Sequence, residues 1–576
     1  MTAGPEGLAR TLGVSVVLDV VLGLLVAVVL PLAIVAIPNT ISVVAALLPP
    51  EISQIAMMRA HGLALPAMVL TVPLAGLAVR RVRAAPVLVA GLTLLAVADA
   101  AGGYANSTLL VGVLRVLHGI GAGLLVPATL VAVWERSPLL RAVWGGMLAV
   151  SLLTAQALAL WPLDEVKSWR VTLQPYPMLT GIALALAALY LVLWMKSGEH
   201  AVAGGEASVA ERGRLLVAVV PAVGIAALAL GSTFDWPPGL LVLAALLSIL
   251  VLFGLASLGA SDGAGGRVPA YTMLAVGIVV LPTAAQVTYI ELGGLGGPGL
   301  SGLWPAFAIA GATGVVAAML VSRLSDGGMP LIGAGGLAVM VAGLCAVRLL
   351  LPVSGGLGLI LPLVLLGVGA AVALTSALRS SGTGATLFAL SLFFPGVLSG
   401  FLLGSGVQVT RLKGATTSQA LVDAFVGALH LWALVGGGLV VAVIVLCAVL
   451  ARRSPAVTSG TASTSAVAEP GSVAQPPSVA ESGSGAALGS GTEPAAGSVT
   501  VPDPATELES VVEERPVREP AAMAQTRPED GRPEQDKRQH PEPEPDPQPD
   551  KTGTLPVVPP PTPSPEDGLG EGPAHP

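Results

Sequence analysis

Charge is what this sequence has least of. Only 11% of its 576 residues are Asp, Glu, Lys or Arg, against about 25% in ordinary soluble proteins. With 53% hydrophobic residues, most of the chain is written for lipid. Cysteine is nearly missing too. Cys345 and Cys447 are the only two, and both lie inside apolar runs. They read as small buried hydrophobes, and neither a disulfide framework nor a metal site is implied. Enzyme signatures are also absent: there are no paired carboxylates, no H-E-x-x-H, no P-loop and no nucleophile elbow. The glycine-rich stretch 293–299 has no Lys-Ser/Thr after it, so it reads as a turn. No enzymatic activity, cofactor or nucleic-acid partner is expected.

What is present falls into two regimes. Up to residue 453 apolar runs dominate; from 454 onward the chain is Pro, Ser, Gly, Ala and acid. The tail, 454–576, carries 20 acidic and 7 basic residues, so the body is mildly basic although the whole chain is −7. Runs such as P-E-P-E-P-D-P-Q-P-D (541–550) and P-P-P-T-P-S-P (559–565) cannot bury enough surface to offset the entropy of ordering, and a disordered tail is expected. Its polyproline segments make it a candidate site for a protein partner.

A helix needs about 20 apolar residues to cross the hydrocarbon core. On that ruler fourteen spans are expected: 12–37, 59–79, 84–104, 108–133, 141–162, 174–195, 214–232, 238–258, 270–290, 300–321, 330–351, 357–378, 384–407 and 428–451. The first run is too long for a signal-peptide core and reads as a retained span. With the N-terminus inside, the inner loops collect fourteen Lys and Arg, and the outer loops collect four: Lys167, Arg170, Arg411 and Lys413. That bias places both termini in the cytoplasm of a multi-pass protein of the plasma membrane.

The stretch 109–127, L-L-V-G-V-L-R-V-L-H-G-I-G-A-G-L-L-V-P, is the most informative in the chain. A charge such as Arg115 near the bilayer centre costs at least about 2.5–3.5 kcal/mol on insertion scales, so a polar interior must receive it. Gly119, Gly121 and Gly123, with Pro127 beyond, offer a small-residue face for close helix packing. Asp99, in the third span, sits at a depth similar to that of Arg115 in the fourth. The two are expected to pair, either as a static pair that accommodates a buried charge or as a proton or substrate switch. His118, one turn inward, is a core histidine or a relay. Asp19, in the first span, is a second candidate acid for a substrate or proton pathway. Arg59 and His61 open the second span and are expected to snorkel outward.

These residues carry a resemblance. R-V-L-H-G-I-G-A-G-L-L-V-P is similar to the fourth-span pattern R-x-x-Q-G-x-G-x-x-x-x-x-P of the major facilitator superfamily, in its fourteen-span drug:proton antiporter branch. Ahead of it, P-L-A-G-L-A-V-R-R-V-R (73–83) resembles the family's P-L-x-G-x-L-x-D-R-x-G. Pro73, Leu74 and Gly76 match, and Arg81 fills the basic slot, but the acidic slot falls on Arg80 and the second glycine slot on Arg83. Ala142-Val143-Trp144 and Trp169-Arg170 fall where the family has A-x-W and W-R, with no gap from Pro73 to Arg170. The internal repeat of such transporters predicts a second basic turn between the tenth and eleventh spans. S-R-L-S-D-G-G (322–328) supplies one, with Arg323 and Asp326 in the basic and acidic slots. Two family markers of drug/proton exchange are displaced. The fifth-span G-P-x-x-G-G falls on Gln156-Ala157 and Leu160-Trp161, and the first-span acid falls on Val29.

The resemblance implies an all-α polytopic membrane protein with major-facilitator-like architecture, two six-helix bundles plus two extra spans, and the tail. The expected divisions are 1–195, 196–269 (linker and extra spans), 270–453 and 454–576. The implied function is secondary transport, outward across the lipid bilayer that holds the chain, of a small amphipathic or apolar molecule, with protons as candidate coupling ion. Gly76, Arg80, Arg81, Arg323 and Asp326 would form the conformational-switch loops. A transporter-derived scaffold or sensor acting through the tail is the rival reading.

Overall fold

In a computed structural model, the chain is described over residues 5–164, 166–197, 208–231, 236–258, 267–292, 299–352 and 356–453. The expected tail lies outside the described residues. Among the described residues, fourteen helical segments are long and apolar enough to cross a membrane, one for each run expected from the sequence. Several runs differ in extent by about five residues at one end, and the last by ten. The second begins at Gln54, because a separate short helix precedes it, and the last at Ser418, because its helix continues past the apolar core into polar residues.

The helices, in order, are α1 (Pro5–Val35), α2 (Gln54–His61), α3 (Ala64–Val82), α4 (Ala84–Gly102), α5 (Thr108–Trp134), α6 (Pro138–Leu160), α7 (Pro177–Ser197), α8 (Val209–Gly231), α9 (Pro238–Leu258), α10 (Arg267–Glu291), α11 (Gly299–Val321), α12 (Met329–Leu350), α13 (Ile360–Arg379), α14 (Thr383–Leu412) and α15 (Ser418–Arg453). Their starts are chemically marked. Ser53, Ser107 and Ser137 each cap a helix, accepting from the N–H of Ala56, Leu110 and Leu140, and Pro138 follows its cap where a missing N–H costs nothing. α2 and α3 together make the second span, with a break at Gly62 and Leu63.

α1 packs on α5, α6 and α7, and α5 packs on α3 and α4. In the second half α10 packs on α13, α14 and α15, while α13 packs on α11 and α12. α8 touches both α3 and α14, so it lies on the seam between the halves. α14 is 94% buried over its apolar window and α7 only 22%. The first is therefore central and the second presents its flank to lipid. Cys345, expected inside, is exposed on α12, whereas Cys447 is buried. An apolar flank turned to lipid accepts a cysteine as readily as a core does.

Small residues set the close approaches. A Cβ added at Gly119 would lie 2.2 Å from the Ala64 carbonyl oxygen, and one at Gly123 would lie 2.6 Å from Thr71 Cβ, both on α3. Gly121 faces the other way, its added Cβ 2.9 Å from the Gly91 carbonyl oxygen of α4. α5 is thus wedged between two helices by glycines on opposite sides, with Pro127 buried further along. The halves meet in the same manner. Cβ atoms at Gly145 and Gly146 of α6 would come within 3.0 Å of Thr375 on α13 and Ala318 on α11.

Candidate functional site

Helix direction defines two ends. At the end where α5 ends and α6 begins, the seam is closed by the Gly145 and Gly146 contacts and by one ion pair onto α8, while two further ion pairs brace the halves internally, one in each. Arg80, at the end of α3, makes a two-pronged contact with Glu211 of α8, Nε to Oε1 at 2.9 Å and Nη2 to Oε2 at 3.2 Å. Arg136 reaches Asp19 at 3.5 Å and donates to Ser15 at 3.3 Å. Asp19 is therefore engaged at this end, away from the membrane centre. Arg379 of α13 pairs with Asp326 and donates to the Val321 carbonyl at 2.6 Å. Arg81 and Arg323 are exposed, and Gly76 faces Leu215 of α8, where an added Cβ would be in ordinary van der Waals contact. The turn 322–328 is thus tied through Asp326 to α13, and the Arg80 slot is tied to an inserted helix.

At the opposite end the seam opens into a cavity of about 660 Å³. Its walls come from the link after α1, from α2, α3 and α6, and from α8, α10 and α14. Most of the lining is aliphatic or aromatic, such as Ile37, Met58, Leu230 and Phe401. Polar groups are few. Asn39 donates to the Met58 carbonyl at 2.8 Å and accepts from the Ile41 N–H, and the Tyr289 hydroxyl donates to the Asn39 carbonyl at 3.2 Å, bridging the halves. Gln156 is 2% exposed. Its Nε2 has no hydrogen-bond partner among the described residues, although the side chain lies near the Tyr289 hydroxyl. Arg59 borders this cavity and a second one, of about 580 Å³, between α2 and α5.

Behind the cavity, inside the first half, lies a buried polar cluster. The expected Asp99–Arg115 pair is not formed. His118 Nε2 lies 2.9 Å from Asp99 Oδ1, and the Thr180 hydroxyl of α7 donates to Asp99 Oδ2 at 2.7 Å. His118 Nδ1 is 2.8 Å from the Leu114 carbonyl, one turn back on α5. Arg115 instead donates through Nε to the His61 carbonyl at 2.9 Å, and through Nη2 to the carbonyls of Ala36 and, at 3.3 Å, Pro38. The physical reason is clear. α1 stops at Val35 and α2 at His61, so carbonyl oxygens at two helix C-termini lack partners, and a guanidinium fork meets both with the favourable sign for the helix dipoles. Matching depth suggested Asp99; rotation of the helices put His118 there. His61, expected to snorkel, is buried at 1% exposure, since its carbonyl anchors Arg115.

The cluster's proton inventory follows from its bonds. A carbonyl only accepts, so His118 Nδ1 carries hydrogen. The Nε2–Oδ1 bond then needs one further proton, on the ring or on the carboxyl. With both bonds made, the pair is neutral overall. A cavity of about 20 Å³ bordered by Asp99, Arg115, His118, Tyr176 and Thr180 adjoins it, enough for one water by the usual ~10–15 Å³ threshold. Sequence reasoning missed Thr180, and singled out Gln156 only as a mismatch to a family pattern.

No family model matches this chain, and no curated protein matches it. Among solved structures it is similar to the proton:xylose symporter XylE of the major facilitator superfamily, bound to 6-bromo-6-deoxy-D-glucose. The identity is 13%, with 74% of this chain and 94% of that chain covered and a TM-score of 0.45. It is also similar to the human organic anion transporter MFSD10, at 17% identity, covering 77% of this chain and 100% of that one, with a TM-score of 0.43.

Proposed function

We propose that this chain is a secondary transporter of the major-facilitator type. It carries small apolar or amphipathic molecules outward across the plasma membrane by alternating access, both termini being cytoplasmic. One observation carries the reading: a single seam between two sets of helices is tightly closed at one end and holds a large apolar cavity at the other. That is the arrangement a rocking-bundle transporter has in one of its two states. Residues 1–195 and 270–453 are the moving halves, 196–269 joins them, and 454–576 is a cytoplasmic tail. Arg80, Arg81, Gly76, Arg323 and Asp326 form the switch turns at the closed, cytoplasmic end. Proton exchange takes place at Asp99 and His118, with Arg115 holding the helix ends around them. An apolar lining with few fixed charges suits neither sugars nor phosphates.

The test is reconstitution of the full chain into vesicles with an imposed pH gradient and a panel of apolar fluorescent probes. Saturable, gradient-driven movement above that of protein-free vesicles is expected. Flux equal to the protein-free control for every probe sinks the reading.

A further inference from the structure

The inserted helix α8 lies in the segment read above as joining the two halves, yet its sequence is written for two surfaces. Glu211, Leu215, Ala218, Ala222, Ile225 and Ala229 follow one another at steps of four and three, which places them on one stripe of the helix. Leu215, Ala218, Ala222 and Ile225 are buried there, and α8 packs on both α3 and α14. The alanines in the stripe allow the close approach that a seam inside lipid needs. Leu216, Val220, Val223 and Ala227 repeat at the same steps on another side, and all four are exposed. That apolar flank is turned to lipid.

The buried stripe joins the two ends of the seam. At the closed end Glu211 holds Arg80 of α3 and lies against Gly384 of α14. At the other end the stripe reaches the large cavity, where Ala229 and its neighbour Leu230 are part of the lining. Leu65 of α3 and Leu402 of α14 line the same cavity. α8 therefore forms the cavity wall beside α3 and α14, with its other flank in lipid. The wall there is one helix thick. Its side chains bring no polar atom to the cavity, only the methyl of Ala229 and the isobutyl group of Leu230. Such groups read shape. A ligand gains about 25 cal/mol for each Å² of apolar surface it buries on them, and it loses affinity where atoms overlap.

We propose that α8 is a ligand-contacting helix of this cavity, and that Ala229 sets the size of the apolar body the cavity accepts. The alanine leaves room that any larger side chain at this point of the stripe would take. With about 660 Å³, the cavity falls within the ~300–1,000 Å³ range of sites for drug-sized ligands. Its ligand is a bulky apolar molecule, held on this side by contact area and not by a particular head group. That the ligand is a substrate rests on the transport reading; the wall itself does not.

The experiment uses Ala229→Cys and Ala227→Cys, each in the full chain with Cys345→Ala and Cys447→Ala, in lipid nanodiscs. The two positions lie two residues apart, so they share a depth and face nearly opposite sides of the helix. Each folded protein is treated with methyl or benzyl methanethiosulfonate, which adds a small or a large group after folding is complete. Equilibrium binding of Nile red, a broad neutral probe, and of 2-naphthol, a smaller one, is measured against empty nanodiscs. The benzyl adduct at 229 should weaken Nile red about tenfold, the loss of about 55 Å² of apolar contact. The methyl adduct should weaken it about threefold, and 2-naphthol should lose less than about twofold with either. At 227 an adduct, or its failure to form in lipid, should leave Nile red binding within about twofold. Equal effects at 227 and 229, no effect of the benzyl adduct at 229, failure of the reagents to reach 229, or no saturable binding of either probe overturns the proposal. Nile red flux on the same samples separates the two readings. Size-graded binding without flux sinks the transporter and leaves the wall; flux indifferent to the benzyl adduct at 229 sinks the wall and leaves the transporter.

Discussion

His118 Nε2 stands 2.9 Å from Asp99 Oδ1, while the other nitrogen of the same ring is committed to the Leu114 carbonyl. The pair must therefore hold a proton to keep both bonds, and losing it sets a lone pair against a carboxylate in a buried site. On the transport reading proposed above, the pair is the candidate proton site. Asp99→Asn and His118→Gln should each abolish substrate-driven proton movement in vesicles, while downhill substrate flux stays within about threefold, since neither residue lines the large cavity. An unchanged proton-to-substrate ratio in either variant would remove the pair from the coupling step.

Arg115 acts through three carbonyls at two helix ends, so its removal should be felt first as stability. Arg115→Ala strands buried acceptors and should cost about 3 kcal/mol or more, given ~1.5–3 kcal/mol for each hydrogen bond to a charged donor and incomplete compensation by water. Arg115→Lys keeps the charge but cannot fork across both helix ends, and should fall between. Thermal unfolding in detergent reads this. A wild-type melting temperature with transport lost would place Arg115 in the pathway itself.

These two cases show how far the sequence could be read. Fourteen apolar runs and a one-sided distribution of Lys and Arg defined the helices, because lipid requires long uninterrupted segments. Which side of a helix a residue faces was far less legible. Matching depth along neighbouring helices suggested Asp99 for Arg115, yet it could not say that α5 turns His118 toward α4 and Arg115 toward the link after α1. Thr180 carried no signal at all, since one hydroxyl on an apolar helix satisfies itself on its own backbone as readily as it finds a partner. Gln156 was visible only as a mismatch, and its place in the cavity wall needed the structure.

The contact between Arg80 and Glu211 makes the inserted helix α8 part of the closed end. Both side chains are less than one-fifth exposed, and Glu211 also lies against the start of α14, where a Cβ at Gly384 would be 2.8 Å from its carboxyl carbon. Glu211→Ala should favour opening by about 1 kcal/mol, or roughly fivefold in population. On a background without Cys345 and Cys447, a cysteine at Thr383 should then be alkylated about fivefold faster. Exchanging the charges, Arg80→Glu with Glu211→Arg, should restore the slow rate, and failure of the exchange would mean that the contact is incidental.

Arg83 links α3 to α4 with φ +83° and ψ 161°, a conformation that glycine adopts freely and other residues resist. The resembled family has glycine in this slot. Arg83→Gly should raise stability by about 1 kcal/mol, the relief of strain being offset by lost side-chain contacts and by the greater freedom of the unfolded chain. A lower melting temperature in the variant would show that the arginine's own interactions outweigh the strain.

The glycines of α5 differ in what they can tolerate, and the difference is testable. An added methyl at Gly119 meets the backbone carbonyl of Ala64 at 2.2 Å and Ala67 Cβ at 2.7 Å, atoms that move only if α3 itself moves. At Gly123 the nearest atom is Thr71 Cβ at 2.6 Å, also fixed to the α3 backbone, so relief needs the same kind of movement but a smaller one. At Gly181, on α7, nothing lies within 4 Å. Gly119→Ala should therefore cost about 3 kcal/mol, at the upper end of ordinary overpacking, Gly123→Ala about half that, and Gly181→Ala nothing measurable. The order matters more than the values. α3 carries Ala64 and Ala67 at the cavity end and Arg80 at the closed end, so displacing it at Gly119 should also loosen the Arg80–Glu211 contact some four turns away. Faster alkylation at position 383 in Gly119→Ala, with Gly181→Ala unchanged, is the expected signature of a rigid helix joining the two ends.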